Sequence, residues 1–241
     1  MKSLALALVT VLALGCTDGH DDDHDPAEHE MKASSESAWI TLFDGTSIDA
    51  FRGFDRETLP AAWVIEDGNL AYVPGGDDGG DIVTRDQFGD FELELEWKIS
   101  EAGNSGIIYR VSEEFDAPWM TGPEYQILDN LAHPDAKQGG DRLAGANYDV
   151  HAADPRAVSA VGAWNATRIV AHGPHVEHWL NGNMVVSYEL YSDDWNSRVA
   201  DSKWVNHAEY GRRLAGHIAL QDHGNRVWFR NIRVRRLEAS D

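Results

Sequence analysis

At 241 residues, the chain has the length of one all-β sandwich or at most two small domains, and it is long enough to bury a sizeable core. Its formal net charge of −21 excludes nucleic acid and anionic membrane surfaces as partners, because both are held by clustered Lys and Arg. The one basic stretch, Arg230 to Arg236, alternates with Ile and Val as the solvated face of a strand does.

Lys2 and the apolar run Leu4 to Leu14, ending in Gly15-Cys16, read as a secretory signal too short for a membrane span. Cys16 is the only cysteine, so it forms no internal disulfide. It resembles the lipidated cysteine of a bacterial lipoprotein signal, which implies an envelope protein touching the membrane through an N-terminal lipid alone. Plain cleavage and secretion is the other reading. Residues 17–37 are rich in Asp, Glu, His and Ser with almost no large apolar side chain, and so read as a disordered tether. His20, His24 and His29 offer ligands to a divalent cation, but a segment with nothing to fix its geometry reads as a solvated spacer.

A folded domain is expected over residues 38–238. Ile40 and Leu42 before Asp44-Gly45 mark a first strand, and Trp63 to Val73 forms a hairpin about Asp67-Gly68. Phe91 to Lys98 alternates without a break, which puts Phe91, Leu93, Leu95 and Trp97 in the core and Glu92, Glu94, Glu96 and Lys98 on the other face. Three carboxylates on one strand face also fit a laminarinase-like glycosidase, whose acid and nucleophile share such a face.

Strands follow at Ile107 to Val111 and Glu124 to Leu128, where alternation pairs Ile108 with Arg110 and Glu124 with Gln126. The long irregular region from Asn130 to Ala163 has the character of a rim or lid, and its Tyr148 could enter a groove or merely close the sandwich edge. Two more strands meet at the Asn181-Gly182 turn. A polar insertion, Tyr191 to Arg213, carries Trp195 and Trp204, each a candidate sugar platform or a plug over the core. Gly216 to Gly224 reads as a strand with Gln221 and His223 on one face, and Val227 to Leu237 as the last strand. Many short strands with Gly, Asn and Asp turns make an all-β sandwich of antiparallel sheets.

Arg110, Glu124 and His223 together supply anion-stabilising, acid and base capacity, which is more than surface solvation needs. Leu42-Phe-Asp-Gly45, Asn104-Ser-Gly-Ile-Ile-Tyr-Arg110, Glu124-Tyr-Gln-Ile-Leu-Asp-Asn130, Trp164-Asn165, Trp179-Leu-Asn-Gly182, Leu220-Gln-Asp-His-Gly224 and Phe229-Arg-Asn-Ile232 occur in one order. From about Trp39 to Leu237 the chain resembles the 3-keto-disaccharide hydrolase family.

The resemblance implies a jelly-roll, concanavalin-like sandwich with a concave groove, and cleavage of glycosides whose sugar carries a ketone at its third carbon. A ketone acidifies the neighbouring C–H bond, so a base removes that proton and the enolate expels the glycosidic oxygen before water adds. In that reading His223 and Glu124 transfer protons, with His223 favoured as base because its ordinary pKa lies near neutrality. Arg110, helped by Lys98, holds the ketone or enolate oxygen. Gln126, Gln221, Asn104 and Tyr148 contact the sugar, and Glu96 either joins them or forms a structural ion pair. The implied partner is an oxidised sugar. No organic cofactor is expected, since no glycine-rich phosphate fingerprint follows a strand, while the groove's carboxylates and His leave room for a divalent cation. A non-catalytic carbohydrate-binding module is the competing class, because the same fold serves both. Oligomeric state is not legible.

Overall fold

The computed structural model describes residues 37–238. The signal-type leader, Cys16 and all but the last residue of the acidic tether lie outside the described residues. The chain opens with β1 (Ile40–Phe43) and β2 (Phe51–Gly53), the hairpin β3 (Trp63–Glu66) and β4 (Asn69–Tyr72), then β5 (Ile82–Thr84). β6 (Phe91–Ile99), β7 (Asn104–Val111) and β8 (Glu124–Leu128) follow, and a long connection leads to β9 (Asn165–His172), β10 (His175–Leu180) and β11 (Asn183–Glu189). The helix α1 (Asp193–Asp201) precedes β12 (His217–Leu220) and β13 (Val227–Arg236).

These strands form a jelly-roll sandwich of two antiparallel sheets. The larger runs β11-β10-β9-β6-β13-β4-β3, with β1 also on β13, and the smaller runs β2-β5-β12-β7-β8. Period-two patterning decides which side chains meet between them. Leu93, Leu95 and Trp97 of β6 and Phe229 of β13 pack against Ile107 and Tyr109 of β7 and Tyr125 and Ile127 of β8 in one core. Asp67-Gly68 and Asn181-Gly182 close their hairpins with φ of 50° and 74°, and 50° and 80°, the mirror-image turn that matches strand twist.

The carboxylates of β6 lie on the outer face of the larger sheet, each tied to arginines on neighbouring strands. Glu92 pairs with Arg168 at 3.2 Å, Glu94 with Arg233 at 2.6 Å, and Glu96 with Arg230 at 2.5 Å and with the Asn231 amide at 2.7 Å. Lys98 lies over the rings of Trp228 and Trp164, at 4.3 and 5.1 Å. This ladder satisfies the charges of β6 and leaves no spaced acid and nucleophile for a retaining glycosidase.

Candidate active site

The smaller sheet turns a different surface outward. Because Tyr125 and Ile127 face the core, Glu124 and Gln126 face away from it, and across the ladder Glu124 stands opposite Ile108 and Gln126 opposite Gly106. The Glu124 side chain lies across Gly106, where a Cβ would run into the carboxyl group. Gly106→Ala should therefore displace Glu124 and lower turnover by about a hundredfold, while far-UV circular dichroism stays native. Unchanged turnover would mean that the carboxyl's position is not critical.

Four segments converge on this floor. After β12, the Gln221 N–H donates to the Gly106 carbonyl at 2.9 Å and the Ser105 hydroxyl donates to the Gln221 carbonyl at 2.8 Å, strapping Gln221 and His223 beside Asn104. The strand expected to reach Gly224 stops at Leu220, because the Asp222 carboxylate accepts the Gly80 and Gly224 N–H groups and bends the chain into a loop. On the free edge of β8, the Gln126 N–H donates to Ala146 at 3.0 Å and the Tyr148 N–H donates to the Glu124 carbonyl at 3.0 Å, bringing Tyr148 to the rim. Its hydroxyl donates to Asp135 at 3.0 Å and accepts from Arg142 at 2.9 Å.

The fourth segment is the insertion. Ser192 caps α1 by accepting the Trp195 N–H at 3.1 Å, and Ser202 accepts the Trp204 N–H at 3.1 Å to start the short turn Lys203–Asn206. Trp204 donates its indole N–H to the Tyr148 carbonyl at 3.0 Å, and the Lys203 N–H donates to Asp149 at 2.7 Å. A column of stacked rings runs inward, Trp204 on Tyr210 at 4.5 Å, Tyr210 on Trp195 at 5.8 Å, Trp195 on Tyr188 at 5.2 Å and Tyr188 on His151 at 4.7 Å. Of the two tryptophans, Trp204 walls the groove and Trp195 plugs the core.

The result is a cavity of about 320 Å³ lined by Asn104, Trp119, Glu124, Gln126, Tyr148, Lys203, Trp204, His207, Gln221 and His223. Three buried amide atoms on this lining, Asn104 Oδ1, Gln126 Nε2 and Gln221 Oε1, have no hydrogen-bond partner. Such groups are costly to bury unmatched, so a donor and two acceptors held ready describe a ligand with hydroxyls and an acceptor oxygen. A larger groove of about 690 Å³ lies against the outer face of the larger sheet, but Glu94, Glu96 and Arg233 along it are spent on one another and on Arg230.

Charge is distributed unevenly in the cavity. Burial pushes the Glu124 carboxyl up to about 8, with Asp81 and Asp135 adding to the rise and Lys203 opposing it. Partial burial and then neighbouring His133 hold His223 below the ordinary imidazole value. Lys203 is exposed as a residue, yet its ammonium lies over the rings of Tyr148 and Trp204 at 4.0 and 4.3 Å, and loss of water lowers its pKa. Near neutral pH the cavity thus holds a protonated carboxyl, a neutral imidazole and a cation. Among the described residues no cluster of three or more His, Cys, Asp or Glu is arranged to hold a metal ion.

Of the residues expected from sequence, Glu124, His223, Gln126, Gln221, Asn104 and Tyr148 share the cavity, whereas Arg110, Lys98 and Glu96 do not line it. Lys98 and Glu96 belong to the outer ladder of the other sheet. Arg110 is displaced by a β-bulge. Between β7 and β12 the register shifts so that Ile108 and Val111 bracket one residue more than Ala219 and His217 do, and Arg110 takes a φ of 57°. Ile108 and Val111 both stay on the outer face, while Arg110 is buried and donates to the Gly89 carbonyl, 3.3 Å away. The cavity's cation is instead Lys203, which sequence reasoning missed. Its turn has no periodicity to read, and its place depends on the docking of the insertion.

Residues 38–235 match the family model described as 3-keto-alpha-glucoside-1,2-lyase-like domain. A Bacteroides thetaiotaomicron protein named 3-keto-disaccharide hydrolase is 37% identical over 228 residues, covering 83% of this chain and 79% of its own. A crystal structure from Parabacteroides distasonis, of a protein described as a glycosyl hydrolase, superposes with a TM-score of 0.75 at 32% identity over 83% of this chain and 94% of the other. A Bacillus subtilis protein with a galectin-like fold, 11% identical with a TM-score of 0.52 over 85% of this chain and 99% of its own, shares the fold alone. With nearly all of the described domain matched, the chain belongs to the 3-keto-alpha-glucoside-1,2-lyase-like family, a group of glycoside-cleaving enzymes.

Proposed function

We propose that this cavity cleaves glycosides whose sugar carries a ketone at the third carbon, by elimination followed by hydration. The observation that carries the reading is the convergence of Glu124, His223 and Lys203 on a pocket whose three buried amide atoms await a polar ligand. Neutral His223 takes the proton from the second carbon. The developing negative charge on the ketone oxygen is met by Lys203 and the Gln126 amide N–H. As the bond from the first carbon to the glycosidic oxygen breaks, the Glu124 carboxylic acid supplies that oxygen's proton. Water then adds at the first carbon while a proton returns to the second, giving the free keto sugar.

Family membership and the 3-keto-disaccharide hydrolase named in Bacteroides thetaiotaomicron support the substrate class. The opposed pKa shifts of Glu124 and His223 support their division of labour. The test is to incubate the purified protein with a 3-ketoglycoside and with its unoxidised parent. Aglycone release from the ketone alone, with a transient unsaturated sugar absorbing in the ultraviolet, is the expected result. Release from both would point to ordinary glycoside hydrolysis.

A further inference from the structure

The run Asn147-Tyr148-Asp149 passes along the free edge of β8, where Asn147 bridges to Tyr125, and sends its three side chains to three places. Asn147 turns inward, its amide N–H donating to His151 Nδ1 at 3.1 Å and its amide oxygen accepting from the Tyr210 hydroxyl at 3.3 Å. Tyr148 turns to the cavity, and Asp149 does not line it. The Asp149 backbone takes a φ of 62°, a region that Asp enters more readily than most residues other than Gly. That bend is held by the Asp149 N–H on the Asp141 carbonyl at 2.9 Å and the Val150 N–H on the Asn147 carbonyl at 3.0 Å. It aims a carboxylate side chain, 9% exposed, at the insertion.

The first N–H groups of the turn Lys203–Asn206 have no partner inside it. Ser202, next in the chain, takes that of Trp204, whereas that of Lys203 goes to Asp149 Oδ2 at 2.7 Å, from 54 positions away. Asp149 Oδ1 accepts from Arg142, whose Nη1 donates to the Tyr148 hydroxyl at 2.9 Å. Two adjacent residues thus fix both ends of Lys203, Asp149 its backbone and the Tyr148 ring, 4.0 Å away, its ammonium.

We propose that Asp149 is a positioning residue for the reaction, pinning the Lys203 turn so that the ammonium stands ready where negative charge develops on the ketone oxygen. The inference rests on the role given to Lys203 in the proposed reaction and adds the residue that makes that role effective. A lysine on a loose turn spreads over many rotamers, and a cation lowers a barrier most when it is ordered before the charge appears. Held by a charge-assisted hydrogen bond at one end and an aromatic face at the other, Lys203 is ordered in advance. The Asp149 charge works in the same direction. Loss of water lowers the Lys203 pKa, and Asp149 is one of the carboxylates that oppose the fall.

Asp149→Gly removes the carboxylate without straining the bend, because Gly adopts a φ of 62° freely. On methyl 3-ketoglucoside kcat should fall about a hundredfold, the scale of a catalytic group misplaced by about 1 Å, with KM and the calorimetric affinity for methyl glucoside unchanged. Asp149→Asn tolerates the same backbone and still offers an oxygen to the Lys203 N–H, so it should recover most of that loss. Hydrogen exchange gives a readout independent of turnover. The Lys203 amide should lose protection in Asp149→Gly and keep it in Asp149→Asn, while the amides of β7 and β8 stay native in both. An unchanged kcat in Asp149→Gly, a fall shared equally by kcat and affinity, or a Lys203 amide as protected as before would overturn the assignment. Should the unmodified protein turn over no ketone, the proposed reaction fails, and the exchange result alone decides whether Asp149 holds the turn.

Discussion

Glu124→Gln should lower kcat/KM on a 3-ketoglycoside by about a hundredfold or more, the scale of a lost general acid. Gln preserves the shape of the side chain and cannot give up a proton, so the loss would isolate proton transfer from packing. The pH profile makes the claim sharper. Activity requires a protonated Glu124 and a neutral His223, so the unmodified enzyme should lose activity above about pH 8, where Glu124 ionises. It should also lose activity on the acid side, below the ordinary imidazole value of 6.5, as His223 becomes charged. In Glu124→Gln the residual activity should keep the acid limb and lose the alkaline one. A variant retaining both limbs would remove Glu124 from the acid role.

The same substitution should change stability with a defined sign. The folded-state pKa of Glu124 is raised from 4.5 to about 8, so folding favours its protonated form. That contribution is complete below pH 4.5 and is lost as pH rises through about 8. Above this range the unmodified protein carries a buried carboxylate that the Gln variant lacks. Thermal unfolding at pH 9 should therefore find Glu124→Gln the more stable of the two, a common trade at active sites. Equal melting temperatures there would mean that the carboxyl is well solvated when ionised.

Trp195→Ala should be the most damaging change outside the cavity. The ring is 1% exposed, sits between Tyr210 and Tyr188 in the stacked column, and presses on Gly211 closely enough that a Cβ there would collide with it. Removing a buried Trp costs about 3–5 kcal/mol, because the transfer term and the cavity left behind add. For a domain of this size that corresponds to a fall in melting temperature of about 10 °C. The site should suffer too, since the column holds Trp204 and hence the Lys203 turn. Trp119→Ala is the control, because Trp119 is 36% exposed at the rim and should lower affinity with little loss of stability. If Trp195→Ala melted within a degree or two of the unmodified protein, the insertion would have to be braced by other contacts.

The division between what could be read early and what could not follows from the range of the interactions. Strand alternation repeats every two residues, so Phe91, Leu93, Leu95 and Trp97 could be assigned to the core, and Glu124 and Gln126 to one outer face, from the chain alone. Asp67-Gly68 and Asn181-Gly182 were equally legible, because a turn is decided by the few residues in it. The same local rule set Arg110 beside Ile108 and failed, since the bulge on β7 exists only against its partner β12. Lys203 was invisible for a related reason. Its position depends on an aromatic column and on hydrogen bonds to Tyr148 and Asp149, more than 50 positions away in sequence. Composition and periodicity therefore determined the sandwich, its core and most of the pocket floor. Tertiary contact decided which cation completes the pocket, because the place of a charged side chain among strands and loops is set by partners that no short stretch of sequence contains.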